Sequence, residues 1–293
     1  MTVCYCISVN YTLSIHSFCM SSNPFFSIVI PTFNSALYLY ECLESLARQT
    51  CKDYEVIVVD KQSSDCTLDM ICSVDMPRLQ VKQQTTNSLP EALDEGFSVA
   101  KGILFTWLNS DDAYARPDAL SIIKSKYIQH PAGYRFIYAN HLCIDANSCI
   151  SSLSASHWPS SRYERALGGF NLCTGSLFFS RDLFISFGGF GDRYRLSFEY
   201  LLIDYLFLHG RPLYVPVYVY AYRLHASQLS DRLRDQMASE CRDISISLPR
   251  RSAAGFFLWL CKRLFSRILF SNYFQRRLWI GSPLEVYWHA HSI

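Results

Sequence analysis

No GxGxxG motif follows the first apolar strand of this chain, and no P-loop occurs in it. That sets aside a nicotinamide-dependent dehydrogenase and a P-loop phosphoryl-transfer enzyme, both of which need glycines to admit phosphate to the backbone. The twelve cysteines include no CxxC pair, so a disulfide framework and a zinc site are not indicated. The first 24 residues carry no Lys or Arg. They lack the positive region of a secretory signal, and hold too many Ser, Thr and Asn for a membrane span. Met20 immediately precedes SSNPFFSIVIP, so a start there would make residues 1–19 an over-called extension. A strong charge imbalance is missing too: 27 basic residues against 25 acidic give +2, which argues against a nucleic-acid footprint and for a small partner.

What is present is an ordinary globular composition of 293 residues, half of them hydrophobic, enough for one large domain with appendages. FSIVIPTFN, from Phe26 to Asn34, is a buried strand, and Leu39, Cys42, Leu43 and Leu46 then recur at helical spacing. YEVIVVD, from Tyr54 to Asp60, is a second strand, followed by the turn QSSD and a helix through Leu68 and Ile71. RLQVKQQ reads as a third strand, PEALDEGFSVA as a helix entered at Pro90, and ILFTWLNSDD as the next strand. Alternating strands and helices imply a mostly parallel, Rossmann-like α/β sheet flanked by helices. Right-handed crossovers bring the strand ends to one edge, where open α/β sheets bind ligands.

Asn34, Asp60, Asp111 and Asp112 should therefore converge. Hard cations such as Mg2+ and Mn2+ take oxygen ligands, and carboxylates at a strand end can hold one while substrate phosphates complete the shell. The bland alternative is a solvated turn whose aspartates cap the helix beginning near Pro117.

The three segments IVIPTFNSALYLYECLESLARQTCKDYEVIVVDKQSSD, GILFTWLNSDD and GGFGDRYRLSFEY resemble the family 2 nucleotide-sugar glycosyltransferases of GT-A fold. The resemblance covers roughly residues 26–230. It implies transfer of a sugar, with inversion, from a nucleoside diphosphate sugar donor to an acceptor hydroxyl, aided by Mn2+ or Mg2+. By the same resemblance Thr32, Phe33, Asn34 and Asp60 contact the nucleoside, and Asp111 supports the donor sugar or ribose. Asp112 and His225 are the metal ligands, and Glu199 is the base for the acceptor hydroxyl. Lys61, Gln62, Leu201, Thr86 and Ser88 depart from the family pattern. Lys61 and Leu201 stand where relatives carry acids, which motivates an alternative: a weakened GT-A domain that binds nucleotide sugar, or a partner, without turnover. A nucleotidyltransferase would want a glycine-rich loop where PTFNSA stands.

Between Asp243 and Glu285 there is no acidic residue. At 100° per residue Phe257, Leu258, Leu260, Leu264, Phe265, Ile268 and Leu269 share one face, and Lys262, Arg263, Ser266 and Arg267 the other. Two readings stand: a basic helix lying on the anionic cytoplasmic leaflet beside a lipid-linked or saccharide acceptor, or a helix packed on the domain. The expected organisation is an N-terminal extension over 1–24, a GT-A domain over 25–235 and a C-terminal helical tail over 236–293. The expected setting is cytoplasmic, peripheral on the inner face of the membrane, in surface polysaccharide or glycolipid assembly.

Overall fold

A computed structural model describes residues 23–130, 133–156, 172–247 and 280–291. Residues 1–19 and the amphipathic stretch Phe257–Leu269 lie outside the described residues. The first half alternates strand and helix: β1 (Phe26–Thr32), α1 (Ala36–Ala47), β2 (Tyr54–Asp60), α2 (Thr67–Ser73), β3 (Leu79–Gln83), α3 (Leu89–Val99) and β4 (Leu104–Trp107). Then come β5 (Ala113–Tyr114), α4 (Ala119–Gln129), β6 (Phe136–Ile144), β7 (Ile150–Ser154), a 3-10 turn (Thr174–Ser176), β8 (Leu177–Ser180) and α5 (Arg181–Phe187). The remainder is α6 (Glu199–His209), β9 (Pro212–Arg223), α7 (Leu229–Arg232), α8 (Arg234–Ser247) and α9 (Leu284–Ala290).

These strands form one sheet in the order β3-β2-β1-β4-β8-β6-β9-β5, with β7 paired to β6. β3, β2, β1 and β4 run parallel, β8 is antiparallel to both neighbours, and β6 and β9 are parallel to each other. This is the GT-A architecture, a curled mixed sheet flanked by helices. β1 and β2 read as continuous apolar runs because both faces are covered. Ile28 and Ile30 meet α1, α2 and α4 on one face. Val29, Ile57 and Val59 meet α3, α5 and α6 on the other. Each such side chain, fully buried, contributes about 1.5–3 kcal/mol.

Ser88, one of the departures from the family pattern, caps α3: its side chain accepts from the Glu91 amide and Glu91 reaches back to the Ser88 amide. Gly102, two residues ahead of β4, leaves room for β1, since a Cβ there would stand 2.6 Å from the Ser27 backbone nitrogen. Its amide donates to Ser27 Oγ at 2.7 Å, and that hydroxyl donates to the buried Glu55. The fourth strand is shorter than expected. It ends at Trp107, and residues 109–112 form a turn, closed by the Asp112 amide on the Asn109 carbonyl at 3.1 Å.

The C-terminal end returns to the domain. Leu284, Tyr287 and Trp288 of α9 join Ala113, Ala115, Leu142 and Ile144 in one cluster, and Trp288 Nε1 donates to the Tyr114 carbonyl at 2.8 Å. Among the described residues no helix is long and apolar enough to cross a membrane.

Candidate active site

The strand ends are joined by side chains rather than merely adjacent. Thr32 Oγ1 donates to Asp60 Oδ1 at 2.7 Å, and the Ser63 amide and hydroxyl donate to the same carboxylate at 2.9 and 2.6 Å. Asp60 is thereby buried at the end of β2 with three donors. Phe33 projects outward, 59% exposed, with Lys61 Nζ 5.8 Å from its ring centroid. Lys61 also donates to the Asn87 carbonyl at 2.9 Å. Asn34 takes a left-handed backbone (φ 48°), a conformation Asn tolerates better than most residues. Its amide donates to Ser63 Oγ and its side-chain oxygen accepts from the Ser64 amide, both at 2.9 Å. Ser110 Oγ donates to Ser35 Oγ at 2.9 Å, which ties this rim to the turn holding the aspartate pair.

The two aspartates have opposite environments. Asp112 is 1% exposed. Its Oδ2 accepts from Tyr220 and Asn109, and its Oδ1 from the Arg223 amide at 2.7 Å. Burial pushes its carboxyl well up from the usual range and neighbouring Asp111 adds to that, against the three hydrogen bonds. The Asp111 side chain is 31% exposed and its Oδ2 lies 3.0 Å from His225 Nε2, while His225 Nδ1 lies 2.7 Å from Ser227 Oγ. The expected direct ligand, Asp112, is thus turned into the protein, because β9 crosses beneath the turn and claims both its oxygens. Asp111 faces outward beside the histidine.

Asp111 and Glu199 line one cleft of about 400 Å³ together with Pro31, Thr174, Arg195 and His141. Glu199 opens α6, and burial pushes its carboxyl up to about 7 against a hydrogen bond from Thr174. Asp204, further along α6, lines a separate cavity with Leu201 and Tyr205.

Residues 27–136 match the family described as Glycosyl transferase family 2. The PGL/p-HBAD biosynthesis glycosyltransferase of Mycobacterium tuberculosis is 32% identical over 178 residues, which is 59% of this chain and 66% of that protein. The chain thus spans just under two thirds of that relative's length. The structure of S. aureus TarS 1-349 in complex with UDP-GlcNAc is similar in fold, with a TM-score of 0.61 and 19% identity over 78% of this chain and 69% of that one. The mannosyltransferase PcManGT of Pyrobaculum calidifontis, in complex with GDP-Man and Mn2+, gives 0.56 and 16% identity over 80% of this chain and 68% of that one.

The matched segment, residues 27–136, is that of a family 2 glycosyltransferase.

The GT-A domain therefore gathers Thr32, Phe33, Asn34 and Asp60 on one rim, Asp111 and His225 at the turn, and Glu199 along the cleft. Asp112 is withdrawn into the protein, and on the other rim Thr32 and Asp60 are buried too. Among the described residues no three His, Cys, Asp or Glu side chains converge on an ion, so Asp111 and His225 would offer two donors. Their 3.0 Å separation suits neighbouring vertices of an octahedral shell with bonds of about 2.1 Å. The donor set fits a cation that draws its other ligands from a bound diphosphate and water.

Three participants escaped sequence reasoning. Arg223, fully buried, donates from Nε to the Asp111 carbonyl and from Nη2 to Glu41, and its guanidinium stands over the Tyr38 ring. His141 lines the cleft, and burial pushes its imidazole down to about 4, so it is neutral. Thr174 precedes Gly175, where a Cβ would overlap the Tyr220 ring. Arg223 stands two residues before His225, which was the only local signal for it; His141 and Thr174 lie in a strand and a turn with no motif of their own.

Proposed function

We propose that this domain transfers a sugar, with inversion, from a nucleoside diphosphate sugar to an acceptor hydroxyl. The observation that carries this reading is that Asp111, bonded to His225, and Glu199 line the same cleft. Glu199, held near neutrality, takes the proton from the acceptor hydroxyl as its oxygen bonds to the anomeric carbon and the bond to the diphosphate breaks. Asp111 and His225 stand on the leaving-group side, where a bound Mn2+ or Mg2+ would offset the charge developing on the diphosphate. Phe33 presents a face to the base, and Asp60, buried and bonded to Thr32 and Ser63, braces the rim beside the nucleoside. Arg223 holds the Asp111 backbone from below and so sets where that carboxylate points.

The alternative, nucleotide-sugar binding without turnover, rests on Lys61 and Leu201. Leu201 favours it little, since it lines the cavity of Asp204 rather than the cleft; Lys61 changes the rim of the nucleoside site and so the choice of donor. The acceptor in our reading is a saccharide or lipid-linked molecule. Work on the cytoplasmic face of a membrane is supported by the acid-free basic stretch after Asp243.

The test is a panel of UDP, GDP, TDP and CMP, with and without Mn2+, followed by thermal unfolding. A ligand that binds the native state raises its apparent stability. Turnover is then measured with the sugar donors of the nucleotide that binds. A domain that binds a nucleotide yet neither hydrolyses nor transfers any of its sugars overturns the reading in favour of the binding module.

A further inference from the structure

We infer that Glu240, on α8, is a positioning residue for Glu199, a role that rests on the reading of Glu199 as the base. Its carboxylate accepts from three consecutive backbone amides, those of Arg195 at 3.2 Å, Leu196 at 2.9 Å and Ser197 at 2.9 Å. These residues lead directly into α6, whose first residue is Glu199. No side chain caps that helix at Phe198. The amides just ahead of it, which would otherwise be left to water, are collected by a carboxylate from an element 43 to 45 positions away.

The rest of the contact supports the same clamp. Ser197 is buried, its hydroxyl donates to the Met237 carbonyl at 3.3 Å and lies 3.2 Å from Cys241 Sγ, so α8 grips this turn at two further points. Gln236 donates to Glu240 Oε1 at 3.1 Å and fixes the carboxylate from its own helix. On the other side Phe198 is wedged against Phe190 and Trp107, with ring centroids 5.0 and 6.4 Å away. The turn is thus held from the core by Phe198 and from α8 by Glu240. Arg195, Leu196, Phe198, Glu199 and Met237 all line the cleft, so the clamp shapes the wall beside the base.

Charge reinforces geometry. Although burial opposes it, the three amide bonds hold the Glu240 carboxyl below its ordinary value, so it stays ionised wherever the domain is folded and active. The titratable groups that share the cleft with Glu199 are Asp111, His141, Cys173, Arg195 and Tyr222, with Tyr200 next to Glu199 in the chain. Loss of Glu240 frees the turn and admits water to Glu199, which lowers the proton affinity of Glu199.

The experiment compares the full chain with Glu240→Gln, Glu240→Ala and Glu199→Gln. Glutamine keeps the shape and one acceptor oxygen. The first readout needs no substrate: carboxyl-13C glutamate is titrated by NMR, with the Glu199 resonance identified by its absence in Glu199→Gln. The expected result is that Glu199 titrates lower by about one unit in Glu240→Gln, a tenfold change in its proton affinity. The second readout is hydrolysis of UDP-GlcNAc and GDP-mannose with Mn2+. There kcat should fall roughly 10- to 100-fold while KM for the donor stays within about twofold, as misplacement of a reacting group would produce. A merely structural role leaves the Glu199 titration in place. An unchanged Glu199 resonance in folded Glu240→Gln overturns the inference. If Glu240→Gln does not fold, Ser197→Ala, which releases only the hydroxyl contacts, must lower the Glu199 titration for the inference to stand. If Glu199→Gln turns over donor at the wild-type rate, the assignment of the base fails instead.

Discussion

His225 stands between two partners, with Nε2 at 3.0 Å from Asp111 Oδ2 and Nδ1 at 2.7 Å from Ser227 Oγ. A neutral imidazole carries one proton, so the ring donates to one partner and accepts from the other. A cation at Nε2 requires that the proton sit on Nδ1, where Ser227 receives it. Ser227→Ala should therefore weaken Mn2+ binding by about 10- to 100-fold, the usual consequence of losing an outer-shell partner. The unliganded melting temperature should stay constant. Titration of Mn2+ against the melting temperature in the presence of UDP measures this, and an unchanged midpoint removes the role of Ser227.

The two aspartates should separate cleanly by experiment. Asp111→Asn is expected to abolish the cation dependence of nucleotide binding and leave the bare domain as stable as before, since its side chain reaches the surface. Asp112→Ala should do the reverse in kind, costing about 2–4 kcal/mol of stability because Tyr220 and the Arg223 amide lose a buried partner. Urea unfolding of both variants checks it. Equal destabilisation by the two substitutions would refute the division.

The opposite burial of the two aspartates marks where the sequence ran out. The apolar runs of β1, β2 and β4, with helices between them, made the parallel half of the sheet legible, and Leu39, Cys42, Leu43 and Leu46 do face the core. The acids at the strand ends were legible for the same reason. Which aspartate of the pair is buried depends on β9, more than a hundred residues later in the chain, and no local pattern encodes that crossing. β6 and β9 also pair across a long stretch, from Phe136 with Pro212 to Ile144 with Arg223, and β9 mixes Tyr and Val without a clean period of two. Ser88, a departure from the family pattern, is legible in hindsight as the first residue of a Ser-x-x-Glu capping box with Glu91.

The C-terminal end bears on any test of membrane association. Truncation after Pro249 removes Leu284, Tyr287 and Trp288 from the core, so the truncated protein should lose stability as well as basic charge. Trp288→Ala alone should cost about 3–5 kcal/mol. Charge is better tested by Lys262→Gln, Arg263→Gln and Arg267→Gln together. Sedimentation with anionic vesicles should fall and the melting temperature should hold; equal sedimentation at low salt would exclude an electrostatic contribution of these residues.

Glu199 yields the sharpest pair of outcomes, because its environment affects stability and rate in opposite directions. Burial raises its carboxyl from an ordinary 4.5 to about 7 in the folded domain. The native state therefore binds the proton more tightly than the unfolded chain does. The associated stability is fully present below about pH 4.5 and is lost as pH rises through 7. At pH 8 the ionised carboxylate costs on the order of 1–3 kcal/mol, so Glu199→Gln should melt higher than the wild type there and nearly equal to it at pH 4.5. The proposed base needs the form that the fold disfavours. Transfer by the wild type should drop about tenfold per unit below pH 7, and Glu199→Gln should lose about 10²- to 10⁴-fold at every pH while its donor affinity is kept. Differential scanning calorimetry across pH 4.5 to 8, run beside a rate profile, measures both. A Glu199→Gln protein whose melting temperature follows the wild-type pH curve would show that this carboxylate is not the desolvated one, and the acid limb of the rate would then belong to another group.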